Sequence, residues 1–489
     1  MPKTSESKGT KLSLSNKTFE QLIGASGLML EACSIDDGVI SATVRSGRRT
    51  CRCPHCGRRS GSVHSVYRRT LTGLPVSARG MTITFTARRF RCMNAACRHK
   101  TFAEQVENLT ERYSRITVGV RHLMERGLPE MSAVKYSRLS GLYGIRRSPS
   151  TCLRMTYRMA LPEQDRASVR RVRIDDFALR KGAEYGTTLM DADTGRVIAM
   201  TEGRSKEKAE SLLEQYPNIA VVSRDRSGAY AAAVSAALPD AVQVADRFHL
   251  VKNCGESMEG QLKESSALLT EEVAGAISVD TASGSTLAVL EKRAEVMSKA
   301  YYQAISGYHA GGMSVDMMVR KYRYSRAAVK ECIRECSRTD EDVKRGLAAG
   351  IVADRRLKLY LANPSYGVRK DTGECSKEHL MMNKVIAGSA TLSALREYVM
   401  SFRALFKKGD PRSLDVWVGK YIESPFKMAS AFAAGVKKDR EAIANAITDP
   451  ISNGPLEGVN NKLKAIKRSM YGRAGISLLL RKMMLSGCG

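Results

Sequence analysis

The sequence predicts a multidomain α+β protein. A cysteine-rich β domain and a set of short helices come first, followed by an α/β core that a large all-helical insertion interrupts. Three observations predict this class. Five cysteines fall within residues 51–97, alternating strand and helix patterns fill residues 170–250, and helical patterns dominate from there to about residue 450. A chain of 489 residues has room for roughly three domains of ordinary size.

The charge of the chain is high and unevenly distributed. The formal net charge is +29, and residues 41–150 carry 22 basic and 5 acidic residues, so 17 of the 29 net charges lie in under a quarter of the chain. Such concentration favours a nucleic-acid partner over a basic surface that serves only solubility. No apolar stretch is long enough to cross a membrane, and the N-terminus lacks the apolar core of a secretory signal. We therefore expect an intracellular protein with no membrane partner.

Two cysteine pairs predict a structural Zn²⁺ site. The first pair lies in Cys53-Pro-His-Cys56-Gly and the second in Cys92-Met-Asn-Ala-Ala-Cys97. Disulfides are disfavoured in a reducing compartment, whereas zinc takes four thiolates in a tetrahedron. We therefore predict Cys53, Cys56, Cys92 and Cys97 as the ligands. Cys51 and His99 lie close by and remain alternative donors.

The 35 residues between the two pairs must hold structure of their own. Met81, Ile83 and Phe85 alternate with threonines, which predicts a half-buried strand leading to Cys92. Upstream, two alternating runs joined by Asp37-Gly38 predict a hairpin. Residues 1–110 are accordingly interpreted as an N-terminal hairpin and zinc ribbon.

Residues 111–165 carry a pattern of three short helices, the last opened by Ser148-Pro149. Short helices around a glycine-containing turn, with arginines near the third, are typical of a DNA-binding helix-turn-helix. A plain three-helix spacer is the alternative. The predicted DNA-binding residues are Arg146, Arg147, Arg154 and Arg158.

Residues 166–265 predict the first part of a catalytic core. Their order of elements, three antiparallel strands, helix, strand, helix, strand, is that of a ribonuclease H-like fold, in which the first and fourth strands are neighbours. Asp175 ends the first strand pattern and Asp225 the fourth. Two Mg²⁺ ions held by such carboxylates stabilise the attacking and leaving oxygens of a phosphodiester exchange.

A third carboxylate, Glu457, opens a helix pattern in residues 450–489, the second part of the core. Leu456, Leu463 and Ile466 belong to an apolar stripe that can lie on a sheet, and Lys464 and Arg468 continue the face of Glu457. The alternative is that Glu457 only compensates the helix dipole. We predict Asp175, Asp225 and Glu457 as catalytic residues and magnesium ligands, and Lys464 and Arg468 as DNA-binding residues.

Several segments together resemble the bacterial insertion-sequence transposases of the ISL-three type. They are CPHCG, RRFRC, IDDFALRKGAEYGTTLMD, VVSRDRSGAYAAAV, PDAVQVADRFHLVKN and SNGPLEGVNNKLKAIKRSMYGRAG. The resemblance implies a zinc-binding domain, a helix-turn-helix and a ribonuclease H-like DDE domain with Asp175, Asp225 and Glu457 as its triad. Mg²⁺, or Mn²⁺, is then the catalytic metal. Asp176 competes with Asp175 for its role, and Asp246 and His249 also match family positions.

The acids Asp225 and Glu457 are separated by 231 residues, far more than a bare core needs. Residues 266–449 are therefore interpreted as a helical insertion. A second helix-turn-helix is predicted near residues 291–337, with Ser325 capping a recognition helix that carries Arg326 and Lys330 as DNA-binding residues. Trp417, the only tryptophan, is expected in a core.

The function that these predictions favour is that of a DDE transposase. Such a protein binds the terminal inverted repeats of its element, cleaves there, and joins the ends to target DNA. Pairing of two ends implies a homodimer in the synaptic complex, and the resemblance implies a bacterial cytoplasmic, nucleoid-associated protein. The alternatives are a ribonuclease H-like junction nuclease and a transposase-derived DNA-binding regulator without catalysis.

Overall fold

The computed structural model describes residues 10–180, 182–277, 299–363, 365–368, 373 and 375–486. Residues 291–298 of the predicted second helix-turn-helix, and residues 1–9 of the N-terminal domain, lie outside these ranges. The chain divides into two compact units, unit 1 (residues 1–218 and 455–489) and unit 2 (residues 219–454). Among the described residues, no helix combines the length and apolarity that a membrane crossing requires.

Unit 1 begins with a mixed sheet of strands in the order β1-β2-β3-β7-β6. A sixth strand, β8, pairs with the last three residues of β7. Its core holds Phe19, Val44, Leu71, Ile83 and Phe85. The elements are β1 (Thr10–Lys11), α1 (Asn16–Ile23), β2 (Leu28–Asp36), β3 (Val39–Ser46), β4 (Cys51–Arg52), β5 (Arg59–Ser60), β6 (Val63–Val76), β7 (Arg79–Arg91) and β8 (Thr101–Ala103). The predicted Asp37-Gly38 hairpin joins β2 to β3, and the predicted strand through Ile83 is β7, so both are confirmed.

Three short helices follow: α2 (Val118–Gly127), α3 (Ala133–Leu142) and α4 (Pro149–Arg158). Thr117, Ser132 and Ser148 each accept a hydrogen bond from a backbone N–H of the first turn, as good N-caps do. The helices share a small core that includes Val120, Met124, Leu128, Tyr136 and Cys152. The cap predicted at Ser148 is confirmed.

Three antiparallel strands come next in unit 1. They are β9 (Arg171–Arg180), β10 (Glu184–Asp191) and β11 (Val197–Glu202), with β10 between the other two, and α5 (Lys206–Leu213) follows. These three strands are covered by the C-terminal helices of the chain. Their apolar residues Leu463, Ile466, Leu479 and Met483 form one cluster with Phe177, Val197 and Met200 of the strands.

In unit 2, β12 (Val221–Arg224) pairs in parallel with β13 (Val242–Ala245), and α6 (Gly228–Ala237) connects them. The other elements that the structure describes in this unit are helices. Its helices are α7 (Arg247–Glu264), α8 (Ser266–Ala276), α9 (Ala300–Ala310), α10 (Val315–Tyr322), α11 (Arg326–Ser337), α12 (Asp340–Ala353), α13 (Arg355–Ala362), α14 (Lys377–Gly388), α15 (Ala390–Lys408), α16 (Arg412–Ile422), α17 (Lys427–Lys438) and α18 (Arg440–Thr448).

Two details of the helical region match the sequence. Trp417 is 4% exposed among Tyr398, Phe402 and Tyr421, so its core position is confirmed. Ser325 caps α11, its hydroxyl accepting from the N–H of Ala328. Unit 1 then ends with α19 (Gly454–Ser469) and α20 (Ile476–Leu485), the helices that cover β9 to β11.

Candidate functional site

Four thiols converge at the base of the β6–β7 hairpin. Cys53 and Cys56 follow β4, Cys92 and Cys97 follow β7, and their sulfur atoms all lie within 4.8 Å of one another. The Sγ atoms of Cys56 and Cys92 are 3.5 Å apart. A tetrahedral zinc ion with Zn–S bonds of about 2.3 Å requires sulfurs about 3.8 Å apart, so the cluster has the right size for Zn²⁺.

The backbone around the thiols favours their charged form. The N–H of Arg58 lowers the pKa of Cys56 to about 7. The N–H of Asn94 also lowers the pKa of Cys92, but burial and the hydrogen bond with Cys56 raise it to about 12. The two thiols therefore titrate as a coupled pair in which Cys56 loses its proton first. A divalent cation would replace that proton.

The alternative donors take no part in this cluster. Cys51 and His99 are absent from the set of converging ligand atoms among the described residues. The ring of His99 instead stacks on that of His55, with centroids 3.4 Å apart. Of the five clustered cysteines, the structure brings together the four predicted as ligands.

The second candidate site lies where α19 packs against β9 in unit 1. Asp175 is half-buried on β9, and Glu457 is exposed in the first turn of α19. Asn460, about one helical turn after Glu457, donates from Nδ2 to Oδ2 of Asp175 at 3.0 Å. The predicted acids of unit 1 are thus linked through a helix and a strand whose contacting residues are 285 positions apart in the sequence.

Asp176 has a different environment. Successive side chains of a strand point to opposite faces, so Asp176 faces away from α19, whereas Asp175 shares its face with Phe177, which contacts that helix. Arg204 Nη1 lies 2.9 Å from Oδ2 of Asp176 and the guanidinium lies over the ring of Tyr185. Asp176 is therefore held in an ion pair on the other face.

Asp225 belongs to unit 2, directly after β12. Its Oδ1 accepts from the N–H of Ser227 at 3.0 Å, an Asx turn that orients the carboxylate. The preceding Arg224 is 2% exposed and donates two hydrogen bonds to Asp439, at 2.7 and 3.1 Å. This ion pair, in which Arg224 is buried and Asp439 half-buried, fixes the end of β12 from which Asp225 projects.

Asp246 and the backbone of His249 form a helix-cap contact in unit 2. Asp246 is 1% exposed and caps α7, accepting from the N–H of His249 at 3.2 Å. Its other oxygen accepts from the N–H of Asn453 at 2.8 Å. A buried carboxylate with both oxygens engaged by backbone holds strand β13 to the segment before α19, which is a supporting role.

The predicted DNA-binding arginines of residues 111–165 divide into two groups. Arg146, Arg154 and Arg158 are exposed. Arg147 points inward and donates to the carbonyl of Arg115 at 3.1 Å and to Thr72 Oγ1 at 3.2 Å. A groove of about 620 Å³ lies between the loop before α2 and α4; among the residues that line it are Arg112, Tyr113, Arg115, Arg147 and Arg158.

The remaining predicted cations lie on helices of both units. On α19 of unit 1, Arg468 is exposed and Lys464 is half-buried, its ammonium 3.4 Å from Asn461 Oδ1. On α11 of unit 2, Arg326 and Lys330 are both exposed, and Arg326 forms an ion pair with Asp316 of α10. Arg468 and Lys330 thus present charge to solvent.

Comparison with known proteins identifies the family of this chain. The model of the ISL3-type DDE transposases, described as "Transposase", matches residues 172–309 and 323–480, which together exceed half of the chain. The chain belongs to this transposase family. The matched residues extend from the second residue of β9 into α20 and therefore include Asp175, Asp225 and Glu457.

A second family model covers the cysteine cluster. It is described as the zinc-finger of transposase IS204/IS1001/IS1096/IS1165 and matches residues 49–97, which contain all four converging thiols. The zinc ribbon of this transposase family member therefore rests on two independent observations, the family match and the geometry of the sulfurs.

Curated relatives agree with the family. The transposase for insertion sequence element IS1001 of Bordetella parapertussis is 26% identical over 257 residues, which are 50% of this chain and 61% of the relative. The transposase for insertion sequence element IS1557 of Mycobacterium tuberculosis is 22% identical over 330 residues, 66% of this chain and 61% of the relative. The matched segments thus span about three fifths of these relatives.

Two residues of the family's C-terminal motif that sequence reasoning missed contact β9. They are Asn460, described above, and Lys467, which donates to the carbonyls of Ala178 and Leu179 at 2.7 and 2.5 Å. The signal that reveals them is spacing. Leu456, Asn460, Leu463 and Lys467 recur at steps of four and three, so both polar residues fall on the face that packs on the sheet.

Proposed function

We propose that the protein is a DDE transposase that binds the terminal inverted repeats of its insertion element and catalyses metal-dependent DNA cleavage and strand transfer. The observation that carries the proposal is the docking of α19 on β9, with the turn after Glu457 bound to Asp175 through Asn460. This contact supports a common role for two acids that are far apart in sequence. The matching transposase family supports the same reaction.

In the proposed ribonuclease H-like core, Asp225 completes the triad with Asp175 and Glu457. Carboxylate oxygens are the ligands that Mg²⁺ and Mn²⁺ prefer, so the three residues fit this metal. When bound, the metal supplies charge stabilisation to the attacking and leaving oxygens. The three residues contribute negative charge on fixed elements: Asp175 lies within β9 and not at its end as predicted, Asp225 directly follows β12, and Glu457 lies in the first turn of α19.

The reaction proceeds in two displacements at phosphorus. In the first, a water oxygen forms a bond to the phosphorus at the element end while the bond to the 3′ oxygen breaks, and that oxygen leaves as a 3′-hydroxyl. In the second, the 3′-hydroxyl oxygen attacks a phosphorus of target DNA and a new 3′-hydroxyl leaves. No covalent protein intermediate forms, and bond number is conserved in both steps.

DNA recognition is assigned to the N-terminal part of unit 1. The zinc ribbon, with Zn²⁺ held by the four thiols, is a structural module, since four-thiolate sites leave no position open for substrate. The three helices α2 to α4 are proposed as a helix-turn-helix, with Arg146, Arg154 and Arg158 exposed towards DNA. Lys464 and Arg468 are proposed to hold phosphates next to Glu457, and Arg326 and Lys330 to contact DNA from the insertion.

The experiment compares wild type with Glu457→Gln on DNA fragments that carry the element ends. We expect Mg²⁺-dependent cleavage in wild type, none in the variant, and equal end binding by both in gel-shift titrations. Retained cleavage by the variant would remove Glu457 from the triad. Preference of the wild type for branched junctions over element ends would identify a junction nuclease, and binding without any cleavage a regulator. The homodimer is tested by the mass of the complex with two ends.

A further inference from the structure

We propose that Asn460 is a positioning residue of the metal site, holding the carboxylate of Asp175 in the orientation that metal binding needs. This inference rests on the proposed function, because Asp175 is a metal ligand only there. It goes further by assigning a role to a residue that carries no charge. The observations that lead to it are all within unit 1.

The first observation is the burial and bonding of the Asn460 side chain. Asn460 is 3% exposed, and its amide nitrogen donates to Oδ2 of Asp175 at 3.0 Å and to the backbone carbonyl of Asp176 at 3.3 Å. One amide group therefore fixes both the side chain of Asp175 and the backbone next to it. The carboxylate acceptor also determines which end of the amide points to β9, since the carbonyl end would be repelled.

The second observation is that α19 is attached to β9 at two points in register. Asn460 binds at residues 175 and 176, and Lys467, seven residues later, binds at residues 178 and 179. Seven helical residues rise about 10.5 Å, and three strand residues span about 10 Å. The two spacings match, so helix and strand run side by side and cannot slide without breaking both attachments.

Glu457 is carried by the same helix, three residues before Asn460, and lies about one turn from it. The attachment through Asn460 thus sets the position of Glu457 along the axis of β9. It also sets the rotation of the Asp175 carboxylate. A shift of α19 by one residue would move the two acids relative to each other by about 1.5 Å, enough to spoil a metal site.

The chemistry of an amide suits this role better than that of a cation. Arginine or lysine at this position would neutralise Asp175 and compete with the metal, whereas an amide N–H orients the carboxylate and leaves its charge in place. Asn460 has a further polar atom, Oδ1, that is buried and has no hydrogen-bond partner among the described residues. A buried acceptor of this kind is costly unless satisfied, and Mg²⁺ and Mn²⁺ keep several waters that can donate to it.

The test measures Mn²⁺ binding directly, by calorimetry on the full-length, zinc-loaded protein without DNA. Asn460→Ala is expected to weaken Mn²⁺ binding roughly 10- to 100-fold, the usual effect of losing a residue that orients a metal ligand. Asn461→Ala is the matched control, since Asn461 is the next residue of α19, is exposed, and accepts only from Lys464 among the hydrogen bonds described here. It should bind Mn²⁺ as wild type does.

A second Asn460 variant and a rescue by metal make the result decisive. Asn460→Leu keeps the branched shape of the side chain and removes its polar atoms, and its Mn²⁺ affinity can be compared with that of the wild type if the alanine variant unfolds. High Mn²⁺ should restore cleavage in the Asn460 variants, whereas a purely structural role would lower the melting temperature and leave the Mn²⁺ affinity unchanged. Wild-type affinity in both Asn460 variants overturns the proposal.

Asp175→Asn separates this proposal from the proposed function. If Asp175→Asn loses Mn²⁺ binding while the Asn460 variants keep it, the metal site stands and only the role of Asn460 is wrong. If Asp175→Asn binds Mn²⁺ as wild type does, the triad assignment itself fails and the role of Asn460 fails with it.

Discussion

Arg204 forms an ion pair with Asp176, its Nη1 atom 2.9 Å from the carboxylate, on the face of β9 opposite to the one that α19 covers. Asp175, one residue earlier, accepts from Asn460 of that helix. Two consecutive aspartates thus face different partners because strand side chains alternate. The sequence alone leaves either of them as the first acid of the triad, and this alternation favours Asp175.

Asp176→Asn should therefore leave cleavage of element ends within about tenfold of wild type, because it removes only a partly exposed ion pair worth about 1 kcal/mol or less. Asp175→Asn should lower cleavage by at least about a thousandfold, since a metal ion contributes several kcal/mol to the transition state and each 1.36 kcal/mol is tenfold in rate. Single-turnover cleavage of an end fragment measures both. The reverse order of effects would transfer the triad role to Asp176.

The cysteine cluster predicts a sharp difference between neighbouring cysteines. Cys97→Ser should lower the zinc content below one per chain and lower the melting temperature, because Cys97 is 7% exposed and belongs to the converging set. Cys51→Ser is the control, since Cys51 lies two residues from Cys53 but outside that set. It should keep one zinc per chain. Metal analysis of the purified variants decides between them, and zinc loss in both would point to a different ligand set.

Arg147 and Arg158 line the same groove, but substitution of Arg158 should affect DNA binding whereas substitution of Arg147 should affect stability. Arg158 is exposed, so Arg158→Ala should weaken DNA binding at every sequence and reduce the slope of log K against log salt by about 1. Arg147→Met removes two hydrogen bonds from a charged donor and should lower the free energy of unfolding by about 1–3 kcal/mol.

Salt titrations of end binding and denaturant unfolding, each applied to both variants, measure these effects. An unchanged unfolding free energy in Arg147→Met together with a reduced salt slope would return Arg147 to the DNA-contacting group.

The comparison of these arginines shows what the sequence could predict and what it could not. The four thiols were predictable because pair spacing and thiolate chemistry restrict the ligands, and the apolar stripe of α19 because Leu456, Leu463 and Ile466 repeat at helical steps. Arg147 and Lys467 were not, because a long basic side chain can extend to solvent or turn back to backbone carbonyls. A count of basic residues does not distinguish a side chain that extends to solvent from one that turns back to the backbone. Only the contacts in the folded structure show which of the two a given residue does.

The C-terminal helix α20 supplies another inward-facing lysine. Lys482 is 2% exposed, and its ammonium donates to the carbonyls of Leu128, Pro129 and Met131, just after α2. The adjacent Arg481 donates to the carbonyls of Thr156 and Met159 at the end of α4. Cations at the last carbonyls of two helices complement the helix dipoles. They attach the proposed DNA-binding helices to the helix that follows the Glu457 segment.

Lys482 makes the stability of unit 1 depend on pH, and the direction in which its pKa is shifted sets the sign of that dependence. Burial lowers the pKa of Lys482 to about 8, against a smaller raising effect of Glu130, whereas the unfolded chain has the ordinary value near 10.5. Between these values the unfolded state binds more protons, so stability rises with pH from about 8 to 10.5, and the same gain is lost as the pH falls from 10.5 to 8. From pH 7 to 9.5 the gain amounts to about 2 kcal/mol.

Denaturant unfolding of wild type and Lys482→Met at pH 7 and 9.5 measures this gain. The difference in unfolding free energy between the two proteins should shift by about 2 kcal/mol in favour of wild type at the higher pH. Taking the difference cancels the other titrating groups that both proteins share. Lys462, whose ammonium lies 3.6 Å from Glu130, is the control site, because its partly exposed pair should give Lys462→Met no comparable shift. A pH-independent difference would mean that Lys482 keeps its proton in the folded state throughout, its three carbonyl partners outweighing the cost of burial.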